Sequence, residues 1–424
     1  MELAADTRLI SQYSPTSTPI LDALRPVSDD SPGKVTAGEY FFLSSLVILA
    51  LISMPIVELV MGGFSLTRFG FLVAVVVIPL GALALAGFLH ELGHLLAGRM
   101  AGFHLVELRF RAAAGDDCHA GQKLHSCHVI TLGTLVLEPG ATDSLSRRLN
   151  ILLLGGPLAN LLLPAVLEAF PYWSQTNLLL AYCVHVFSVI SVLTGLAALM
   201  PDVSRRGNFS DGSRLLMLAR HDDLAMRWLS NIHLQMELGR GVHPRHWDAL
   251  RVVRATQVHD DTRDAVTALW LAYLWASERQ DITSATKYLE DALAAPRASS
   301  TWLRDRMYVE AAVFQAWFRD NPGKARSWMA QTRGRRLTPL QHARLSVALL
   351  WAEGRLFDAW EKLADCFTLL SAMPESPARE LAEQSVEEWK HQMESRMLTR
   401  AWRTMYSLSQ QMESPVPEEE MSSS

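Results

Sequence analysis

Cysteine is scarce in this chain, and its scarcity limits the class of protein. Four cysteines occur among 424 residues, widely scattered at Cys118, Cys127, Cys183 and Cys366. The sequence therefore argues against a disulfide framework and favours a reducing compartment for the soluble parts. An excess of basic charge is also missing, because the formal net charge is −5. We therefore expect no nucleic-acid partner.

The two ends of the chain lack a hydrophobic pattern. Residues 1–38 contain Pro, Ser, Thr and Asp, and no basic start runs directly into an apolar stretch. We expect a disordered leader there rather than a cleavable signal peptide. The polar tail over residues 412–424, with the segment "ESPVPEEEMSSS", is likewise expected to be disordered.

Charged residues are few in one part of the chain and abundant in another. Residues 40–200 contain long apolar runs, whereas residues 213–424 are rich in charge and tryptophan. Four runs approach or exceed the roughly 20 apolar residues that span a bilayer as a helix. They are Tyr40 to Leu59, Phe69 to Gly98, Leu149 to Ala169 and Leu178 to Met200. Buried helices of a large soluble core are the alternative, which "FGFLVAVVVIPLGALALAGFL" disfavours because it is apolar on every face.

Basic residues in the loops predict the orientation in the membrane. Several follow the second run, several more follow the fourth, and the loop "FPYWSQTN" between the third and fourth runs has none. The basic residues are Arg99, Arg109, Arg111, Lys123, Arg147 and Arg148, and then Arg205, Arg206 and Arg214. We expect a multi-pass protein of a bacterial inner (cytoplasmic) membrane, with both termini and the soluble half in the cytoplasm.

The second apolar run contains the pattern H-E-x-x-H at His90, Glu91 and His94. Positions i and i+4 share a helix face, so both imidazoles can reach one metal ion. Zinc lowers the pKa of a bound water, and an adjacent glutamate can accept its proton. A chance match is the alternative. It is disfavoured because each charged group in a membrane helix costs about 2.5–3.5 kcal/mol on insertion scales, and a metal supplies a compensating partner.

A catalytic zinc ion usually has three protein ligands, so a third is expected. The strongest candidate is Asp211 in "MPDVSRRGNFSDGSRLL", just beyond the fourth run. Ser-Asp-Gly is also a common turn or helix-cap sequence. Taken by itself, this segment favours the cap or turn.

Three segments together resemble the site-2 protease family of intramembrane zinc metalloproteases. They are "FLHELGHLLAGRMAGFHLVEL", "LLLGGPLANLLL" and "MPDVSRRGNFSDGSRLL", in that order within residues 69–220. The family's core is three helices that carry H-E-x-x-H, then Gly-Pro-x-x-Asn, then a Pro followed by Asp-Gly. The resemblance implies one zinc ion per chain, held by His90, His94 and Asp211, with Glu91 as the general base.

The same resemblance implies that Gly156, Pro157 and Asn160 lie beside the site, with Asn160 positioning the substrate or an oxyanion. The chain departs from the family pattern at three places. Ala198 stands where members often have Asn, Ser210 stands where a hydrophobic residue is usual, and a polar insert lengthens the Pro-to-Asp spacing.

The loop between the second and third runs has two alternating segments, "FHLVELRFRA" and "HVITLGTLVLEPG". They predict a small β hairpin or sheet, whose edge an unwound substrate could join by β-augmentation. The loop also holds Cys118, His119, His125, Cys127 and His128. Their spacing matches no standard zinc module, so a polar loop is favoured over a second metal site. His185 lies in the fourth run, and a histidine bonded to a neighbouring helix is favoured over a fourth ligand.

A weak repeat follows residue 262. Trp275, Trp317 and Trp351 open three units whose second helices contain Ala285, Ala325 and Ala359. The last two units are 34 residues apart, the period of tetratricopeptide repeats. Degenerate helix pairs of this kind and an irregular helical bundle are nearly equal alternatives. In both, the tryptophans are core residues.

The predicted fold is a polytopic α-helical membrane protein with about four transmembrane helices, a small β hairpin between helices two and three, and an all-α, tetratricopeptide-like soluble domain. The predicted domains are a leader over 1–38, a metalloprotease core over 39–220, a cytosolic helical domain over 221–411 and a tail over 412–424. The first functional hypothesis is a zinc endopeptidase acting on membrane protein substrates, with a cytosolic partner bound through the helical domain. The second is a catalytically idle membrane scaffold, for which Ala198 leaves room.

Overall fold

The computed structural model describes residues 76–108, 130–132, 135–140, 143–169, 178–203, 207–295, 301–331 and 337–413. The first apolar run, the leader, the loop cysteines and histidines of residues 118–128, the loop at 170–177 and the tail from residue 414 lie outside these ranges. The described residues form thirteen α-helices, three strands and one short 3₁₀ helix.

Three helices are long and apolar enough to cross a membrane. They are α1 (Ile78–Met100), α2 (Leu145–Ala169) and α3 (Leu178–Leu199), and they correspond to the second, third and fourth predicted runs. Large apolar side chains such as Leu80, Phe88 and Leu162 are more than half exposed on their outer surfaces. Such surfaces suit a lipid solvent and would be unusual in water.

Small residues allow the three helices to pack closely. A Cβ atom on Gly93 of α1 would lie 2.7 Å from the Ala159 Cβ of α2 and closer still to the Gly155 carbonyl oxygen. The α1 and α2 backbones therefore touch at these glycines, as in other membrane helix pairs with small residues at the crossing. Helix α3 packs against both α1 and α2.

A three-stranded antiparallel sheet follows α1, in the region where the sequence predicts a hairpin or sheet. Its strands are β1 (Phe103–Leu108), β2 (Ile130–Leu132) and β3 (Leu135–Pro139), in the order β1-β3-β2. Phe103 pairs with Pro139, and the register shifts between Leu105 and Glu107. The outer edges of the sheet are β1 and β2.

The side chain of Arg148 forms hydrogen bonds at the C-terminal end of α1. Its Nε and one terminal nitrogen donate to the carbonyl oxygens of Ala101 and Gly102, both at 2.6 Å. Gly102 has φ +77°, a left-handed turn that leads into β1 and that glycine adopts without strain. A cation therefore meets the negative end of the α1 dipole.

Ten shorter or more polar helices follow. They are α4 (Asp211–Arg220), α5 (Asp223–Gly239), α6 (Ala249–Thr256), α7 (Arg263–Glu278), α8 (Ile282–Ala294), α9 (Thr301–Trp317), α10 (Pro322–Gln331), α11 (Pro339–Ala352), α12 (Leu356–Ser371) and α13 (Pro377–Glu413). Side-chain caps begin several of them. Asp222, Thr262 and Asp281 accept from backbone amides of α5, α7 and α8, as these residue types do at helix starts.

The long apolar helices and the first polar helices share a core. Leu149, Leu152 and Leu153 of α2 pack with Trp228 and Met236 of α5. A compact unit that contains α1 to α8 extends to Arg304. Helices beyond the predicted protease core at residue 220 thus contribute to the packing around α2.

The second compact unit begins at Asp305 and has a tryptophan core. The indole of Trp317 stacks on those of Trp389 and Trp351, with ring centroids 4.3 and 5.3 Å apart. Trp275, in the first unit, is also buried, so the prediction that the three repeat tryptophans are core residues is confirmed.

Three helical hairpins share a turn geometry. Gln280, Asp320 and Gly354 have positive φ values, and each lies five residues before the repeat alanine, at Ala285, Ala325 and Ala359. All three alanines are fully buried. Measured from these alanines, Trp275 lies two positions earlier than Trp317 and Trp351. Membership of the tetratricopeptide class stays a prediction.

Candidate metal centre

Three side chains that are distant in sequence converge at one point. His90 and His94 lie one turn apart on α1, and Asp211 is the first residue of α4. The Nε2 atoms of the histidines are 3.1 Å apart, and they lie 3.1 and 3.3 Å from Oδ2 of Asp211. The three atoms form a nearly equilateral triangle that could hold a metal ion.

His94 is oriented by the backbone of α2. Its Nδ1 donates to the carbonyl oxygen of Leu152 at 2.8 Å, and the residue is buried. A hydrogen on Nδ1 leaves the Nε2 lone pair facing the cluster, which is the tautomer that a metal ligand needs. The backbone nitrogen of Gly156 lies farther from Nδ1, at 3.3 Å, and cannot donate to an atom that carries its own hydrogen.

The Gly-Pro pair of α2 makes room for this imidazole. A Cβ atom on Gly156 would lie 2.8 Å from Cδ2 and Cε1 of His94, and closer still to Nε2. Pro157 lies inside the helix and has no N–H, so it interrupts the regular hydrogen bonding of this turn. The structure thus places Gly156 beside the cluster, where glycine is the one residue that leaves the histidine undisturbed, and the position of Pro157 beside the site stays a prediction.

His90 is held from α2 and α3. Its Nδ1 lies 3.3 Å from the side-chain amide of Asn160, and the Ser191 hydroxyl donates to the Asn160 backbone carbonyl at 3.1 Å. Asn160 and Ser191 are both fully buried. When Nε2 faces the cluster, Nδ1 carries the hydrogen, and the amide presents its oxygen, since its two ends are interchangeable in shape. Here Asn160 contacts His90, and its contact with a substrate stays a prediction.

Asp211 does not cap its own helix. Ser210 is the N-cap residue of α4, and its Oγ accepts from the Ser213 backbone nitrogen at 3.1 Å. The cap that the sequence favours for Asp211 is therefore provided by its neighbour. This also gives a local reason for Ser210, one of the departures from the family pattern. The Asp211 carboxylate turns instead toward the two histidines.

Packing fixes the start of α4 beside α3, and the surroundings of Asp211 favour its ionised form. A Cβ atom on Gly212 would lie 2.9 Å from Cα of Leu199, and closer still to its carbonyl, so α4 begins in direct contact with the end of α3. Burial disfavours the charged carboxylate, but the close contacts of Asp211 with the His90 and His94 imidazoles outweigh it and lower the pKa of Asp211 to about 2. A carboxylate is the form that binds a cation.

Glu91 follows His90 on α1 and is half-buried, with one carboxylate oxygen shielded from solvent. His185 lies elsewhere: its Nδ1 is 3.3 Å from Glu168 of α2, and both side chains are largely exposed. The structure thus agrees with leaving His185 outside the cluster. Ala198 is half-buried near the end of α3.

Two groups around the histidines were not identified from the sequence: the Leu152 carbonyl, which contacts His94, and Ser191, which contacts Asn160. The Leu152 carbonyl carries no sequence signal, because every residue has a carbonyl group. Ser191 could have been noticed as a polar residue within an apolar run. Ser188 on the same helix gives the same signal, yet its hydroxyl has no hydrogen bond within the described residues.

Comparison of the chain with protein-family models, curated proteins and solved structures finds no match.

Proposed function

We propose that this chain is an intramembrane zinc metalloprotease that hydrolyses peptide bonds of membrane-embedded or membrane-adjacent proteins. The observation that supports it most is the convergence of His90, His94 and Asp211 within 4.8 Å on and beside helices apolar enough to cross a membrane. Two imidazoles and one carboxylate are a frequent donor set of catalytic zinc, and they leave one position open. The donor spacing also fits, since ligand atoms about 2.0–2.1 Å from a tetrahedral ion are about 3.3 Å apart.

The position of the cluster along α1 supports an intramembrane reaction. His90 is ten residues before the helix end at Met100, which is about 15 Å at 1.5 Å per residue. The basic residues that follow in the sequence favour a cytoplasmic position for that end. A substrate reaching the cluster would therefore come from the membrane or its cytoplasmic edge. The further parts of this proposal are four spans, cytoplasmic termini in a bacterial inner membrane, and a protein partner for the soluble helices.

His90, His94 and Asp211 would hold the zinc ion. When bound, zinc supplies Lewis acidity that polarises the scissile carbonyl and acidifies water. The Glu91 carboxylate accepts a proton from the attacking water as the new C–O bond forms. It then delivers that proton to the leaving nitrogen as the C–N bond breaks. Leu152 and Asn160 keep the two imidazoles oriented throughout.

The sheet beside α1 supplies a way to present the substrate. A helical substrate hides its carbonyl groups in hydrogen bonds, so it must unwind before attack. An extended segment can pair with a free strand edge, and β1 directly follows the helix that carries the histidines. Pairing there would hold the scissile bond extended.

Metal content and cleavage, measured together, test the proposal. Purified protein should contain about one zinc per chain, and His90→Ala and His94→Ala should each lose it. Glu91→Gln should keep the zinc yet cut nothing in a library of membrane peptides, because an amide cannot accept the proton. His185→Ala is the matched control, since it removes a membrane histidine outside the cluster and should change neither quantity.

The possible results separate the two hypotheses. A wild-type protein that binds zinc but cuts no peptide would favour the scaffold, with Ala198 as the first suspect. Full zinc content in either histidine variant would place the metal elsewhere in the chain, first of all at residues 118–128. Cleavage by Glu91→Gln at the wild-type rate would remove Glu91 from the mechanism.

A further inference from the structure

The segment that carries Asp211 is held on both sides by the start of one soluble helix, α7. Before Asp211, the carbonyl oxygen of Gly207 accepts from the Arg263 backbone nitrogen at 3.0 Å. After it, the guanidinium of Arg214 donates to both carboxylate oxygens of Asp264, at 3.1 and 3.3 Å. Asp211 thus lies between two attachments to adjacent residues of α7.

The Arg214 attachment has the features of a rigid contact rather than a loose surface ion pair. Both side chains are largely buried, with 13% of Arg214 and 14% of Asp264 exposed. The guanidinium also lies over the Trp228 ring, 4.1 Å from its centroid. Pairing in this two-bond geometry and stacking on an indole both need the planar fork of arginine, which lysine lacks.

The start of α7 is itself fixed. Its N-cap Thr262 accepts from the Ala265 backbone nitrogen, and Asn231 of α5 donates to the Asp264 carbonyl oxygen at 2.8 Å. The fully buried Arg227 joins the preceding loop through Asp260 and Thr262, at 2.8 and 2.9 Å. Helix α7 therefore offers a well-anchored platform to the much shorter α4.

We infer that Arg214 and Asp264 are positioning residues for the metal centre, through which soluble helix α7 holds Asp211 in reach of the two histidines. Arg214 lies three residues after Asp211 on a helix of ten residues, so its attachment to Asp264 restrains this short helix and, with it, the carboxylate. Metal–ligand distances tolerate only about 0.2 Å. A partner that displaces α7 would consequently weaken metal binding without touching a ligand. This inference rests on the proposed zinc centre.

We call the attachment of Asp211 to α7 through Arg214 and Asp264 the link. Zinc affinity of the full chain, measured by competition with a chelator, tests it. Asp264→Asn keeps the side-chain shape and removes the charge, and Arg214→Lys keeps the charge and removes the fork. Each should weaken zinc binding about 10- to 100-fold, the range seen when outer partners of a metal site are changed. The visible spectrum of the cobalt-substituted protein should also change, since the carboxylate ligand moves.

Glu237→Gln is the matched control. Glu237 forms a more exposed ion pair with Arg251 at 2.7 Å between soluble helices of the same unit, and neither residue contacts the Asp211 segment in the described structure. The control should retain wild-type zinc affinity and the wild-type cobalt spectrum. If it weakened zinc as much as Asp264→Asn, the effect would be a general loss of stability, and the link would be rejected.

The outcomes for the link and for the zinc centre are distinct. Wild-type affinity and spectrum in both Asp264→Asn and Arg214→Lys, with a zinc-loaded parent, would overturn the link alone. A parent that binds no zinc would overturn the zinc centre and the link together. Should Asp264→Asn fail to fold, the result for Arg214→Lys decides.

Discussion

Gly156→Ala adds a single methyl group beside the proposed zinc centre, and the structure predicts where it collides. The new Cβ would lie 2.8 Å from Cδ2 and Cε1 of the His94 ring, where ordinary contacts begin at 3.4 Å. The ring or the α2 backbone must therefore move by at least about 0.6 Å, three times the roughly 0.2 Å that metal–ligand distances tolerate. Turning the ring also stretches the 2.8 Å hydrogen bond from Nδ1 to Leu152.

We expect Gly156→Ala to reduce zinc affinity at least about 10-fold, as changes around metal ligands commonly do, and to reduce cleavage in parallel. Gly87→Ala is the control on α1, because a Cβ there meets nothing within 4 Å. That variant should bind zinc normally and be slightly more stable, by up to about 1 kcal/mol on helix-propensity scales. Chelator competition and thermal unfolding in detergent measure both effects. Wild-type zinc affinity in Gly156→Ala would show that His94 is not a ligand in this rotamer.

Three further changes test other contacts. Asp211→Asn should lose zinc and cleavage almost as fully as Asp211→Ala, because the neutral amide is a poorer ligand. If the Asn variant inserts in the membrane normally and retains both zinc and cleavage, Asp211 is a turn residue and not a ligand. Ser191→Ala should weaken zinc binding about 10-fold. Ser188→Ala is the control and should not weaken it, because the buried Ser188 hydroxyl on the same helix has no hydrogen bond within the described residues. Equal zinc affinities of the two variants would exclude Ser191 from the site. Trp317→Ala should lower the free energy of unfolding of its unit by about 3–5 kcal/mol, because the indole stacks on two others; a loss below about 1 kcal/mol, measured by hydrogen exchange in the full chain, would contradict a core role.

Local features of the chain were largely predictable. The apolar runs predicted three helices that could span a membrane. Each run has the roughly 20 apolar residues that a span needs, and exposing so many to water is costly. The i, i+4 spacing of His90 and His94 put both on one face of α1, because a helix repeats every 3.6 residues. Burial of Trp317 and Trp351 followed from their size and apolar character.

The sequence offered two interpretations of Asp211, the third member of the cluster. The turn sequence around Asp211 favoured a cap, and the resemblance to a protease family favoured a ligand. Ser210 took the cap because it is one residue earlier, where its Oγ reaches the Ser213 nitrogen. The Asp211 carboxylate lies against His90, 121 residues away in sequence, a contact that no local pattern contains, and its role as a ligand stays a prediction.

The sequence by itself therefore determined which segments are apolar, which residues share a helix face and which side chains can bind a metal, since all of these follow from composition and helix periodicity. Tertiary structure alone decided that Leu152 and Asn160 orient the histidines, and that His185 meets Glu168 instead. It also decided that soluble α7 holds the segment carrying Asp211 through Asp264. The physical reason is that these contacts join groups on different helices, and their distances depend on how close the backbones come, which here depends on glycines at 93, 155, 156 and 212.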